Sequence, residues 1–217
     1  LRTTGFDTPE ALEAFKDWTG LYTKHGLPLA FDFYNRFRTG EMPLGISGYT
    51  FYNFLTVAAP ELRGLWGMAP IPATVRPDGT RSRTATCYGS ACILIGGSDV
   101  EDAAWEFMKW WTSADTQAAY GLELEYLIGP AARYDTANLE AFDRLPWSDE
   151  EQAILRTQWD EVWDVPQLPG NYITSRNLQY AFRRVVYYWE NERETLYEYN
   201  KDINKEIARK RVEFGLD

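Results

Sequence analysis

The first predicted element is an amphipathic helix close to the start of the chain. Thr8 is a suitable N-cap, and Pro9 fits the first helical turn, where its missing N–H costs nothing. Gly26 and Pro28 end the helix, and a second short helix is predicted over residues 31–38. One face of the first helix collects Leu12, Phe15, Thr19 and Tyr22.

Strand-like apolar stretches follow in the middle of the chain. They are "MPLGIS", "LWGMAPIP" and "TATCYGSACILI", and Gly89 marks a bend or a close backbone approach in the third. Between them, Gly48 precedes "YTFYNFL", which we predict to be a helix. The Pro and the Asp-Gly pair of "RPDGTR" predict a turn.

The remainder of the chain has helical periodicity. Capping boxes are predicted at Ser98 with Glu101 and at Ser148 with Glu151, and a short helix is predicted from Ser113 to Gly121. A long helix over residues 175–190 and a last helix opened by Asn191 with Glu194 complete the chain. Their apolar faces comprise Leu178, Ala181, Phe182, Val185, Val186 and Trp189, and Leu196, Tyr199, Ile203 and Ile207. Early strands and late helices predict an α/β domain finished by a helical layer.

The junction "ILIGGSDVED" could in principle hold a phosphate at a helix start. A dinucleotide-binding loop needs three spaced glycines, and a phosphate-binding loop needs a Lys and a hydroxyl after its last glycine. The junction has neither, and its carboxylates would repel a phosphate while stabilising a bare helix N-terminus. We therefore interpret it as a structural joint.

Composition narrows the classes of function. A formal charge of −10 disfavours a nucleic-acid partner, since phosphate binding needs a basic surface. The apolar runs are shorter than the roughly 20 residues that cross a bilayer. Cys87 and Cys92 would face opposite sides of an extended segment, so we expect buried free thiols rather than a disulfide. With His25 as the single histidine, we expect no metal site, no cofactor and no catalytic Cys-His pair.

Aromatic residues, 16% of the chain, cluster with polar ones at two places. Sugars stack their C–H faces on rings and need hydrogen-bonding neighbours, so both clusters are candidate carbohydrate sites. The alternatives are that the rings of the first cluster face the core and that Asn171 or Thr174 only caps a helix. The first cluster holds Tyr49, Phe51, Tyr52 and Phe54; the second holds Asn171, Tyr172 and Arg176.

The segment "LELEYLIGP" offers a pair of carboxylates. In an extended chain Glu123 and Glu125 would share one face, about 6.6 Å apart, which is near the spacing in inverting glycosidases. The same alternation of Leu and Glu is typical of a half-buried structural strand, and this second interpretation is the one we favour.

Several stretches, in this order along nearly the whole chain, resemble the C-terminal half of extracellular solute-binding proteins that serve sugar-importing ABC transporters. The most specific is "YGSACILIGGSDVEDAAWEFMKWWTSADTQAAYG", which is similar to the family's crossover strand and the helix beneath it. The others are "TPEALEAFKDWTGLYTKHGLP", "FRTGEMPLGISGYTFYNFL", "WGMAPIP", "IGPAARYD" and "AFRRVV" with "ETLYEYNKDINKEI".

The resemblance implies a helix-rich, periplasmic-binding-protein-like α/β fold in which two lobes close on a ligand about a hinge. Residues 1–88 would belong to the second lobe, residues 89–132 would cross into the first lobe, and residues 133–217 would return to the second. Such proteins are about twice this length, so the N-terminal half, with most of the first lobe, is expected to be missing.

The resemblance also implies the ligand-binding positions. Tyr49, Phe51 and Tyr52 follow the matching Gly48, but Thr50 stands where the family often has a Trp, which leaves the stacking ring undecided. The remaining implied positions are Tyr88 and Ser90 at the crossover, Arg133 after the return Gly-Pro, and Asn171, Tyr172 and Arg176 before the long helix.

The implied function is non-enzymatic. The protein would capture a carbohydrate, an oligosaccharide by expectation, and deliver it to the membrane subunits of an ABC permease. It would be a monomer outside the cell or in the periplasm, anchored as a lipoprotein through the missing N-terminus. Two alternatives stay open: a carbohydrate-active hydrolase that uses Glu123 and Glu125, and a helical interaction module that binds no sugar.

Overall fold

The computed structural model describes residues 2–76, 78–87 and 89–216, and it is rich in helix. The chain forms two compact units. We call Leu1–Phe31 with Pro166–Asp217 the terminal unit, and Asp32–Val165 the central unit. The helices are α1 Pro9–Thr23, α2 Phe33–Arg38, α3 Phe51–Ala58, α4 Glu101–Trp111, α5 Ala114–Ile128, α6 Leu139–Phe142, α7 Asp149–Trp159, α8 Asn171–Tyr188 and α9 Glu192–Glu213.

Helix α1 of the terminal unit begins as predicted. The side chain of Thr8 accepts a hydrogen bond from the backbone N–H of Ala11 at 3.3 Å, and Pro9 occupies the first turn. Phe15 and Thr19, from the predicted apolar face, are buried. The Thr19 hydroxyl donates to the Phe15 carbonyl at 2.9 Å, so its burial leaves no unpaired donor.

Helices α8 and α9 pack on α1 and on each other around a small core. Asn191 caps α9 as predicted, because its side-chain oxygen accepts hydrogen bonds from the N–H groups of Arg193 and Glu194 at 3.1 Å. The prediction was wrong at Trp189. Helix α8 ends at Tyr188, two residues before the predicted end, and Trp189 takes a left-handed conformation with φ 59°, which leaves it exposed rather than on the apolar face. The core consists of Phe15, Ala181, Val185 and Leu196.

The central unit has its own core, made by α6, α7 and the turn between them. Phe142, Leu145, Trp147 and Leu155 are buried in it. The predicted capping box at the start of α7 is confirmed, since Ser148 and Glu151 exchange hydrogen bonds at 3.3 and 2.9 Å.

The capping box predicted at Ser98 is wrong. Helix α4 begins after Val100, which provides no side-chain cap, and the Glu101 carboxylate accepts instead from the N–H of Gly97 at 2.5 Å. Gly97 has φ 82°, a left-handed conformation that suits glycine and brings its N–H back toward Glu101. Helix α4 buries none of its side chains.

Strand structure is far sparser than predicted. The described residues form one short hairpin, in which Thr74 and Val75 (β1) oppose Ser82 and Arg81 (β2). The turn predicted at "RPDGTR" is confirmed for its described residues, and Asp78 accepts hydrogen bonds from Thr80 within it.

The three longer predicted strands are extended segments rather than strands, apart from a parallel bridge between Ala85 and Val162. A strand needs a neighbour for its backbone N–H and C=O groups, and among the described residues of these segments the bridge at Ala85 is the only such pairing. Their apolar side chains stand exposed at Leu44, Ile46, Ile93 and Ile95. Cys87 and Cys92 are free thiols as expected, but they are exposed, so the expectation of burial was wrong.

Candidate ligand-binding residues

Trp147 is the centre of an aromatic cluster in the central unit. The rings of Tyr49 and Tyr52 lie 6.1 and 5.5 Å from it, measured between centroids, and Phe142 lies 6.2 Å away. Tyr49 and Tyr52 are half-buried against Trp147: Tyr52 lies in the first turn of α3, and Tyr49 lies two residues before the helix begins. Two of the predicted ligand-binding residues therefore pack against the core of this unit.

Arg133 belongs to the same cluster through its contact with Trp147. Its guanidinium carbon lies 4.5 Å from the centroid of the Trp147 ring, in cation–π geometry. Its Nε and Nη2 donate to the two carboxylate oxygens of Glu125 at 2.9 and 2.8 Å. The two side chains are only 12% and 14% exposed, so this is a largely buried, bidentate ion pair.

Local backbone geometry positions Arg133. Helix α5 ends at Gly129, whose φ of 97° few other residues could adopt, and the short turn Pro130–Ala132 leads directly to Arg133. The Asn53 side chain on α3 then donates to the Arg133 carbonyl at 3.3 Å. The "IGPAAR" sequence thus returns the chain beneath α3.

Glu151 is a member of the cluster that the sequence did not single out as a site residue. Its carboxylate accepts from the Tyr52 hydroxyl and from the Ser148 N–H. Burial alone would raise the pKa of Glu151, but the hydrogen bonds from Tyr52 and Ser148 outweigh it and lower the pKa. Burial and the neighbouring Glu151 carboxylate raise the pKa of Tyr52.

Two buried polar atoms of the cluster, the Asn53 side-chain oxygen and the Trp147 indole nitrogen, have no hydrogen-bond partner among the described groups. The first is an acceptor and the second a donor, so a small hydroxyl-bearing molecule such as water could serve either. Burial, together with Asp135 and Tyr134, raises the pKa of Tyr49. The Tyr49 hydroxyl therefore stays protonated and able to donate a hydrogen bond at neutral pH.

Phe51 and Ser90 lie apart from this cluster's centre. Phe51 is half-buried and packs on Phe33 and Phe54, with ring centroids 5.5 and 5.6 Å away. Ser90 is exposed in an extended segment. Tyr88, the other predicted crossover residue, lies outside the described residues.

The remaining predicted residues lie in the terminal unit, at the first turns of α8. The Tyr172 ring is 56% exposed, yet its hydroxyl donates to the Glu206 carboxylate on α9. Arg209 holds the same carboxylate with two hydrogen bonds of 2.8 and 2.6 Å. Tyr172 therefore presents an open face while its outer end is fixed.

The Arg176 side chain flanks the Tyr172 ring, with its guanidinium 6.0 Å from the ring centroid. The preceding residue, Asn171, instead donates its amide N–H to the Gln167 side-chain oxygen at 3.4 Å. The hydrogen bonds from Arg209 and Tyr172 lower the pKa of Glu206 to about 2. The anchor of Tyr172 consequently remains ionised at any pH above that range.

The paired-carboxylate interpretation of "LELEYLIGP" rested on an extended segment, and that expectation was wrong. The segment lies within α5, which continues through Gly121 to Ile128. Residues two apart on a helix point to different sides. Glu123 is exposed, whereas Glu125 is committed to Arg133, so the two carboxylates do not form a facing pair.

No cluster of three His, Cys, Asp or Glu residues in residues 2–76, 78–87 and 89–216 could hold a metal ion. The helices of that same part of the chain are all too short or too polar to span a bilayer.

Comparison with solved structures identifies the fold. The sugar-binding protein MalE from the phytopathogen Xanthomonas citri matches all of this chain with a TM-score of 0.73 and 19% sequence identity. The match covers 53% of that protein, so the chain spans about half the length of this structural relative. The predicted periplasmic-binding-protein-like fold is thereby confirmed, with the helix-rich character that the sequence indicated.

Comparison of sequences identifies the family. A search of curated proteins gave no match. The family model described as bacterial extracellular solute-binding protein matches residues 3–146. Because that match covers more than half of the chain, and the family is the one that the sequence resembles, the chain belongs to the bacterial extracellular solute-binding proteins.

Proposed function

We propose that this chain is part of a binding protein that captures a carbohydrate outside the cell and delivers it to the membrane subunits of an ABC permease. It performs no chemistry on the carbohydrate. The family supports solute binding. The structural relative is called a sugar-binding protein in its own description, which favours a carbohydrate as the solute.

The observation that carries the proposal is the Tyr172 ring. An exposed aromatic face suits the C–H face of a sugar, and a ring that is already fixed loses little conformational entropy when it binds. Glu206 and Arg209 provide that fixation through the Tyr172 hydroxyl. Arg176 stands beside the ring as a hydrogen-bonding group for sugar hydroxyls, and Asn171, the first residue of α8, remains a proposed second one.

The aromatic cluster of the central unit has a different part in the proposal. Tyr49 and Tyr52 have hydroxyls to offer a sugar, and Arg133 is held rigidly by Glu125 and Trp147. Because these side chains are packed against the core, we expect them to contribute fixed hydrogen-bonding groups more than stacking surfaces. Phe51, Tyr88 and Ser90 remain proposed ligand contacts.

The proposal extends to the assembly of the whole protein. Residues 1–88 and 133–217 form parts of the second lobe, and residues 89–132 cross into the first lobe, which closes on the ligand. The protein acts as an extracellular or periplasmic monomer held at the membrane by a lipid anchor. An oligosaccharide is the proposed form of the ligand.

The test is a thermal-shift screen of the full-length protein against mono- and oligosaccharides, followed by calorimetric titration with the sugar that stabilises it most. We expect Tyr172→Ala to weaken binding of that sugar roughly tenfold, the loss typical of a central aromatic contact. Tyr188→Ala is the matched control, since Tyr188 is a 74% exposed tyrosine at the other end of α8.

The outcomes separate the possibilities. A saccharide that raises the unfolding temperature and depends on Tyr172 but not on Tyr188 supports the proposal. Stabilisation by a non-carbohydrate solute alone would retain the family function and reject the sugar. Hydrolysis of the bound saccharide, seen by chromatography of the incubated mixture, would reject the non-enzymatic mechanism.

A further inference from the structure

A second feature of the central unit suits a saccharide and lies outside the predicted site residues. It is a pocket of about 410 Å³ between the β1–β2 hairpin and the segment that follows α7. That volume falls within the roughly 300–1,000 Å³ of small-ligand pockets, although the pocket is an open groove rather than an enclosed cavity. We call it the hairpin pocket, and its lining includes Arg76, Arg81, Asp160 and Trp163.

Backbone hydrogen bonds tie the two walls of the hairpin pocket together. Ala85 donates to the Glu161 carbonyl at 3.2 Å, and Trp163 donates to the Ala85 carbonyl at 2.9 Å. The Glu161 carboxylate accepts from the Arg83 N–H at 2.6 Å, and the Gln158 amide donates to the Arg83 carbonyl at 2.9 Å. The pocket is therefore defined before any ligand arrives, which lowers the entropic cost of binding.

An exposed ring forms one side of the pocket. Trp163 is 71% exposed although its backbone is held by Ala85. Aromatic residues are enriched at binding surfaces, and this one lines the pocket together with polar groups. Trp163 thus offers a stacking face of the same kind as Tyr172.

The polar groups of the pocket include both donors and acceptors. Among the described residues, no carboxylate forms an ion pair with Arg76 or Arg81. Arg76 donates to the Ser82 hydroxyl at 3.2 Å, and the Ser82 and Thr84 hydroxyls lie 2.8 Å apart. Arg81 and Asp160 thus add a donor and an acceptor to the lining of the pocket that Trp163 also lines.

The charges at the pocket favour a neutral ligand. Asp78, Asp160 and Glu161 line it together with Arg76 and Arg81, and Arg83 offsets the charge of Glu161 at 3.7 Å, while the chain as a whole carries −10. A phosphate or a polyuronate would find no net positive charge there to attract it. A neutral polyhydroxyl ring needs instead what the pocket has: a ring face, donors and acceptors.

We propose that the hairpin pocket is a subsite for one neutral sugar unit, which stacks on Trp163 and hydrogen-bonds to Arg81 and Asp160. This inference rests on the proposed carbohydrate-binding function. It adds a site, and a preference for uncharged saccharides, that the family match does not supply.

The experiment uses the full-length protein labelled with 15N and records the indole N–H resonances, with the Trp163 signal assigned from its loss in Trp163→Ala. The probes are maltotriose, cellotriose, mannotriose and β-1,4-galactotriose, with trigalacturonate and inorganic phosphate as anionic comparators. We expect at least one neutral trisaccharide to shift the Trp163 signal and the anions to leave it unchanged. Asp160→Asn and Arg81→Gln should each weaken that titration roughly fivefold.

A control and three outcomes complete the design. Trp189→Ala removes a similarly exposed indole of the terminal unit and should leave the titration of Trp163 intact. A neutral trisaccharide that stabilises the protein without moving Trp163 overturns the subsite while the proposed function stands. If none of the four trisaccharides and no sugar of the thermal-shift screen stabilises the protein, both the subsite and the proposed function are overturned. A response of Trp163 to the anions alone overturns the preference for uncharged sugars.

Discussion

Arg133 shows how a single charged residue is accommodated in the central unit. Its guanidinium is largely buried, and burial of an unpaired cation would cost several kcal/mol. The bidentate contact with Glu125 and the face of Trp147 offset that cost together. Glu125 is thus a structural partner, which explains why it is unavailable as one half of a catalytic pair.

Removal of that partner gives the first stability prediction. We expect Glu125→Ala to lower the free energy of unfolding by about 3 kcal/mol, because it leaves the Arg133 charge buried without a counterion. The neighbouring Glu123→Ala is the control, since Glu123 is exposed and should change stability by less than about 0.5 kcal/mol. Urea unfolding at pH 7, followed by tryptophan fluorescence, measures both. Equal midpoints for the two variants would contradict the role assigned to Glu125.

The sequence proposed individual site residues without their partners. Arg133 and Tyr172 were proposed from the family resemblance, on the Gly-Pro and Pro-Gly stretches that precede them. Glu206 lies 34 positions from Tyr172, and Glu151 lies 99 positions from Tyr52. Only the packing of helices brings such pairs together, and no local pattern encodes it.

At the scale of elements, Gly121 is the most informative departure from the predicted pattern. Glycine usually weakens or ends a helix, so the sequence predicted a stop there, yet α5 continues past it. A Cβ atom at this position would lie 2.7 Å from Leu145 Cδ2 and 3.2 Å from Tyr134 Cβ. The glycine permits a close approach between α5 and the segment that carries Tyr134 and Leu145.

Substitution of two helical glycines should therefore have opposite effects. Gly121→Ala should destabilise by roughly 1–3 kcal/mol, since overpacking against buried Leu145 outweighs the gain in helix propensity. Gly20→Ala in α1 should stabilise by about 0.5–1 kcal/mol, because its Cβ would meet only Lys24 Cδ at 3.7 Å. Thermal unfolding of the two variants gives the signs. A stabilised Gly121→Ala protein would show that Leu145 and Tyr134 can move aside.

The helices could be predicted because their signals are local, whereas the strands could not. Thr8, Ser148 and Asn191 cap the helices that the sequence assigned to them. The extended segments around Ile46 and Ile93 have the composition of buried strands, but a strand forms only beside a partner. The sequence shows their apolar character without showing what pairs with them.

At the scale of the whole molecule, the two ends of the chain combine in the terminal unit. The N–H of Thr4 donates to the Asn204 side chain at 2.8 Å, which joins the start of the chain to α9. The central unit, by contrast, is continuous in sequence. No periodicity in the sequence indicated this combination of ends, and the proposed boundaries at residues 88 and 132 concern lobes of the complete protein.

Separate cores predict separate responses to mutation. Ile203 is fully buried in the terminal unit, and Phe142 is 1% exposed in the central unit. Their truncation to Ala removes contacts worth about 2–5 and 3–5 kcal/mol respectively. Each substitution should first destabilise the unit that contains the residue, because neither side chain belongs to the core of the other unit.

Hydrogen exchange of the intact chain, read by mass spectrometry of its peptides, tests this. Ile203→Ala should accelerate exchange in residues 2–31 and 166–216 and leave residues 32–165 close to their original rates. Phe142→Ala should do the reverse. Leu139→Ala, which truncates an exposed side chain at the other end of the four-residue helix α6, should do neither to a comparable extent. Faster exchange of both units in both variants would mean that they unfold as one cooperative body. In that case the contacts that define the units would not correspond to independent stability.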